Sequence, residues 1–117
     1  MILGIYGSGG LGREVLDLAR TINGVEEKWE KILFIDDYSN KTVINEADIL
    51  SFNDFITAFP IADAKIVIAV GEPKVRKELR ERVVEVGYGL QTLIHPSEGR
   101  PCPYLRIILN SPNPSAA

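Results

Sequence analysis

Apolar residues along the chain fall into short continuous runs that alternate with amphipathic stretches. Ile2-Leu3-Gly4-Ile5-Tyr6 is an apolar run bounded by glycines, and it predicts a buried strand. Gly7-Ser8-Gly9-Gly10 supplies the turn that must follow. From Leu11 the apolar positions Leu11, Val15, Leu16, Leu18, Ala19 and Ile22 form a helical stripe, which Asn23-Gly24 is expected to stop. Ile32-Leu33-Phe34-Ile35 predicts a second buried strand that ends at the acidic pair Asp36-Asp37. The stretch from Tyr38 to Asp48 is polar and predicts no element. Ser51 and Asp54, three apart before Phe55, Ile56 and Phe59, have a capping-box pattern for a short helix ended by Pro60.

Lys65-Ile66-Val67-Ile68-Ala69-Val70 is the strongest strand pattern, β-branched and almost unbroken, as in a sheet covered on both faces. Pro73 suits the first position of a helix, and Val75, Leu79, Val83 and Val86 follow at helical spacing until Gly87. Leu90 to Ile94 predicts a last strand. Strands alternating with helices predict an α/β domain, a three-layer half-Rossmann-like fold whose parallel sheet has four to five strands joined by right-handed crossovers. From Pro96 the composition turns to Pro, Ser and Asn with an isolated apolar patch from Leu105 to Leu109, which predicts a domain over 1–97 and an irregular or disordered tail over 98–117.

Length and composition narrow the function. With 117 residues, 45% hydrophobic and 25% charged, the chain fits a single folded, soluble domain. A net charge of −3 argues against a nucleic-acid partner, which would need a basic face. The single cysteine, Cys102, excludes a disulfide framework and fits a reducing, cytoplasmic setting. The N-terminus has no basic start and no long apolar run, so neither a signal peptide nor a membrane span is expected.

The candidate chemistry gathers at the strand ends. Gly7, Gly9 and Gly12 form G-x-G-x-x-G between a predicted strand and a predicted helix. There glycine permits a tight turn, close approach of a phosphate to the backbone, and close packing of helix on strand. The helix N-terminus would face an anion with its free amides. Gly9 is the position where a β-branched side chain would obstruct a phosphate and resist any positive φ the turn requires. Asp36 and Asp37 stand where dinucleotide folds place a ribose-binding carboxylate, although two aspartates also start solvated turns. Gly71, with Glu72 and Pro73, lies at the carboxyl end of the third main strand, either lining the same crevice or only starting a helix. His95 has neither nucleophile nor metal co-ligands beside it in sequence and is read as structural. The charged run from Lys74 to Glu85 is expected to be the solvated face of a helix carrying i,i+4 pairs. No catalytic residue and no metal site is predicted.

Together, IYGSGGLGREVLDLA, FIDD, IVIAVGEPKVRKEL and LIHPS resemble the N-terminal domain of bacterial sugar O- and N-acyltransferases, of the sialic acid O-acetyltransferase and UDP-4-amino-sugar N-acetyltransferase kind. The resemblance covers residues 1 to about 97. It implies a domain that holds a nucleotide-sugar, a small-molecule partner, through Gly7, Ser8, Gly9, Gly10, Asp36, Asp37 and Gly71. In the family a following left-handed β-helix of hexapeptide repeats binds acetyl-CoA, trimerises and carries the catalytic histidine, and His95 corresponds to a histidine at the domain junction. No hexapeptide repeats follow Ser97, so the resemblance implies a substrate-binding domain truncated before its catalytic β-helix, inactive alone, binding no cofactor itself, and monomeric or weakly dimeric. An NAD(P)-binding domain of an oxidoreductase or sensor uses the same turn and is the alternative, and a fragment that folds but binds nothing is the third reading.

Overall fold

Strand β1 (Ile2–Tyr6) is buried at every position, because it forms the centre of the sheet and is covered on both faces. In the computed structural model, which describes residues 1–93, it leads into helix α1 (Gly10–Glu26) and strand β2 (Lys31–Ile35). A hairpin of β3 (Val43–Ile44) and β4 (Ala47–Leu50) follows, then helix α2 (Phe52–Ala58), strand β5 (Ala64–Ile68), helix α3 (Pro73–Val86) and strand β6 (Gly89–Leu90). The sheet order is β3-β4-β2-β1-β5-β6. All neighbours pair in parallel except β3 and β4. The parallel strands therefore run in the doubly wound order, which reverses between β1 and β5, and ligands of such sheets lie beyond the strand ends at that reversal.

The alternation of side chains along the strands builds the layers. Phe34 points to α1, where its ring lies 3.5 Å from the place a side chain on Gly12 would occupy. Gly4 and Ile35 point to the other face, where a Cβ on Gly4 would stand 2.9 Å from both Ile35 and Phe55. The bare backbone of Gly4 thus admits the Phe55 ring of α2 onto the sheet. Phe55 stacks edge-on against Tyr88 at 5.5 Å, joining α2 to the segment after α3. Leu3, Ile5, Leu16, Leu33, Phe34, Ile66 and Ile68 are almost wholly excluded from solvent and form the core.

Three expectations change. The hairpin adds an antiparallel strand, β3, to the predicted sheet and places it and the start of β4 in the polar stretch. Its two inward residues, Ala47 and Ile49, are too few to make a pattern, and its turn rests on Asn45 and Glu46 at φ 50° and 66°. Helix α1 does not stop at Asn23-Gly24. The Asn23 side chain instead brackets Trp29, donating to its carbonyl and accepting from its amide, both at 2.8 Å, so the helix runs on to an αL cap at Glu27. The last strand is shorter than expected, since residues 91–93 are not strand. The expectations for Ile94, for His95-Pro96-Ser97, for Cys102 and for the tail lie outside the described residues.

Candidate functional site

The glycine turn closes over the ends of β1 and β5. Gly7 takes φ 121°, and a Cβ there would lie 2.7 Å from the Ala69 carbonyl oxygen, so both its conformation and its contact require glycine. The positive φ of the turn thus belongs to Gly7 and not to Gly9, which has φ −76°. Gly12 presses the helix onto the turn, with a Cβ placed 2.0 Å from the Gly7 carbonyl oxygen. Gly9 is the N-cap of α1 and has nothing within 4 Å of its Cβ position. The turn is therefore tight behind Gly9 and open in front of it.

The helix N-termini at the crevice differ in a way that matters for anions. Glu72 caps α3 with its own carboxylate, accepting from the amides of Lys74 at 3.2 Å and Val75 at 3.1 Å. Ser51 caps α2, accepting from the Asp54 amide at 3.1 Å. The N-cap of α1 makes no side-chain hydrogen bond, so its first amides keep their donors and the positive end of its dipole. Arg13 folds back over this end, its Nε donating to the Gly9 carbonyl in a long bond of 3.4 Å. Gly71 lies across the crevice, its Cβ position 3.8 Å from Leu11. Its space does not demand glycine.

Successive residues at the end of β2 point in opposite directions, and so Asp36 and Asp37 serve opposite sides of the sheet. Asp36 Oδ2 accepts from Ser8 Oγ at 2.5 Å and from the Ser8 amide at 3.3 Å, while Oδ1 accepts from the Tyr38 amide at 3.0 Å. Ser8 is the one buried polar residue in the described core. Burial pushes the Asp36 carboxyl up, but the hydrogen bonds from the Ser8 hydroxyl and from the Tyr38, Ser8 and Ser39 backbone outweigh it and hold it below its ordinary value. Asp37 Oδ2 accepts from Tyr6 Oη at 2.8 Å and from Arg82 Nη1 at 3.0 Å, and its Oδ1 accepts from the Phe52 amide at 2.9 Å. Arg82 Nη1 also donates to Tyr6 Oη at 3.0 Å. Burial, then the bond to Asp37, hold the Tyr6 phenol far above its usual range. One aspartate ties β2 to the glycine turn, and the other ties it to α2 and α3.

Because the folded-state value of Asp36 is depressed, its contribution to stability is full above the ordinary carboxyl range and fades as pH falls through that depressed value. Ser8→Ala is expected to cost about 1 kcal/mol near pH 7, discounted for partial exposure. The gap between Ser8→Ala and wild type should narrow as pH falls through that depressed value and the Asp36 carboxylate is protonated. Denaturant melts from pH 7 to pH 3 check this, and a gap independent of pH would assign the loss to packing.

Two hollows adjoin this network. A small one of about 130 Å³ is lined by Tyr6, Gly7, Ile35, Asp36, Asp37, Tyr38, Val70, Val75 and Leu79. A larger one of about 860 Å³ lies between α2 and α3, with Asn53, Ile56, Arg82 and Glu85 among its walls and Asp37 and Tyr38 shared with the first. Sequence reasoning missed Tyr6, Tyr38 and Arg82. Arg82 sits in the charged run of α3, for which intrahelical pairs were expected, but no described ion pair lies within α3. Arg82 reaches Asp37 instead, and Arg76 and Arg80 bury guanidinium nitrogens that have no hydrogen-bond partner among the described residues.

Residues 3–83 match the family described as the PglD N-terminal domain. Among solved structures, the acetyltransferase domain of PglB from Neisseria gonorrhoeae, in complex with acetyl coenzyme A, is 26% identical with a TM-score of 0.69, the match covering 81% of this chain and 44% of that one. WeeI from Acinetobacter baumannii is 32% identical with a TM-score of 0.71, covering 82% of this chain and 44% of that one. The chain therefore spans less than half the length of these proteins. No curated protein sequence matches it significantly. No helix among the described residues is long and apolar enough to cross a membrane.

Proposed function

The chain belongs to the PglD N-terminal domain family, and from that premise we propose that it binds the nucleotide-sugar substrate of a sugar acetyltransferase, a UDP-linked amino sugar. The observation that carries this reading is the uncapped N-terminus of α1 at the reversal of strand order, beside helices whose own side chains occupy their N-termini. Free amides and the helix dipole there favour the diphosphate. Gly7, Ser8, Gly9 and Gly10 cradle it, and Asp36 uses its remaining acceptor capacity for a ribose hydroxyl while Ser8 holds the carboxylate in place. Gly71 forms the opposite lip. The domain so defined runs to residue 97.

Acetyl coenzyme A, present in the PglB complex, is assigned no site on the described residues. Of the helices here, α2 and α3 are capped by their own Ser51 and Glu72, which leaves the amides of α1 for a single phosphate cluster. The chain's part in acetyl transfer is to bind and orient the sugar nucleotide, with the donor held by the region of the relatives that this chain does not span.

Thermal shift tests the ligand class. UDP or a UDP-linked amino sugar is expected to raise the Tm more than NAD does, with about 2.7 kcal/mol added at one hundred times Kd. A larger shift with NAD would replace the acetyltransferase reading by that of a dinucleotide-binding domain.

A further inference from the structure

Resting on the nucleotide reading above, we propose that Tyr38 is the stacking platform for the planar base of the bound nucleotide, which enters the apolar slot that Tyr38 shares with Val75 and Leu79 of α3. The Tyr38 side chain is 96% exposed, and its hydroxyl has no hydrogen-bond partner among the described residues. A tyrosine left in water forgoes the large apolar burial that aromatic residues usually supply. Its root is nonetheless fixed, since Asp36 Oδ1 accepts from its amide at 3.0 Å. The ring therefore stands on an anchored backbone with only its own torsions free, a geometry that lets it close on a ligand at small entropic cost.

The slot beside it suits a flat ring. Ile35, Val70, Val75 and Leu79 supply apolar walls, and Val75 is itself 39% exposed on the crevice side of α3. A base offers two apolar faces and a polar edge, so it gains from such walls whatever hydrogen bonds its edge makes. A phosphate or a hydroxyl gains nothing from them. Gly7 and Asp36 border the same slot. The base, the ribose on Asp36 and the diphosphate on the α1 amides can therefore belong to one ligand.

Calorimetry on the full chain, with UDP and with ribose 5-phosphate as probes, tests the platform in wild type, Tyr38→Ala and Tyr38→Phe. The exposure of Tyr38 means that both variants should melt with wild type, which circular dichroism checks. Tyr38→Ala is expected to bind UDP about tenfold more weakly or worse, and Tyr38→Phe, which keeps the ring, should stay within about twofold. Ribose 5-phosphate, lacking a base, should bind wild type and Tyr38→Ala alike. If wild type binds UDP and Tyr38→Ala binds it equally well, or if Tyr38→Ala weakens both probes by the same factor, the platform is wrong and the nucleotide reading stands. Should Tyr38→Ala weaken only a UDP-sugar and not UDP, the ring stacks on the glycosyl group and the base assignment is overturned. A wild-type chain that binds no UDP removes the nucleotide reading and the platform together.

Discussion

Gly12→Ala is expected to destabilise the domain by about 3 kcal/mol, at the upper end of the cost of forcing atoms into a filled site. The added methyl would stand 2.0 Å from the Gly7 carbonyl oxygen and 2.8 Å from its carbon. Both are backbone atoms, so no side chain can swing aside. Nor can the turn retreat, because Gly7 already lies so close to β5 that its own Cβ position is 2.7 Å from the Ala69 oxygen. The helix must lift from the sheet, and Val15, Leu16, Ala19 and Ile22, the buried face of α1, lose contacts with the strands beneath. A fall in Tm of about 12 °C follows for a domain of this size. Gly24→Ala is the control, in the same helix, with nothing within 4 Å of its Cβ position. There the reduced freedom of the unfolded chain should add about 0.5 kcal/mol or more. Thermal melts of the two variants should move in opposite directions, and a Gly12→Ala protein as stable as wild type would mean that helix and turn do not meet as described.

Gly9→Val is expected to leave the fold nearly intact while lowering nucleotide affinity tenfold or more, about 1.4 kcal/mol. The backbone at Gly9 is extended, with φ −76° and ψ −162°, a conformation open to β-branched residues, and the space around its Cβ position is empty. Some stability is lost because valine is a poor N-cap, about 0.5–1 kcal/mol. The isopropyl group would project over the uncapped amides of α1, where the diphosphate must come within hydrogen-bond distance. Calorimetry with UDP on a variant shown to be folded separates the effects. Unchanged affinity would mean that the phosphates bind elsewhere and that the glycines serve the turn alone. Gly12 and Gly9, three residues apart, thus answer to different constraints, one set by packing inside the protein and one by the ligand.

Elements whose signal is local and repeated could be read from the residues alone. β1 is a continuous apolar run and β5 one broken only by the exposed Lys65, because both faces of these strands are covered, and α3 is bracketed by Pro73 and by Gly87, which takes φ 114° at the cap. The glycine turn was legible for the same reason, since strand, glycines and helix adjoin in the chain. Tertiary structure decided what depends on distant partners. Asn23 reads as a helix terminator until Trp29 comes within its reach, and the hairpin at 43–50 is held by pairing with β2 that its few apolar residues do not announce. Asp36 and Asp37 read as interchangeable acids because a sequence does not record which side of a sheet each carboxylate meets. Their division of labour, one to Ser8 and one to Tyr6 and Arg82, arises from the alternation of strand side chains combined with a turn, a strand and a helix brought from 28 to 45 residues away. Arg82 reads as one charge in a solvated run, and only the packing of α3 across β5 gives it Asp37 as a partner.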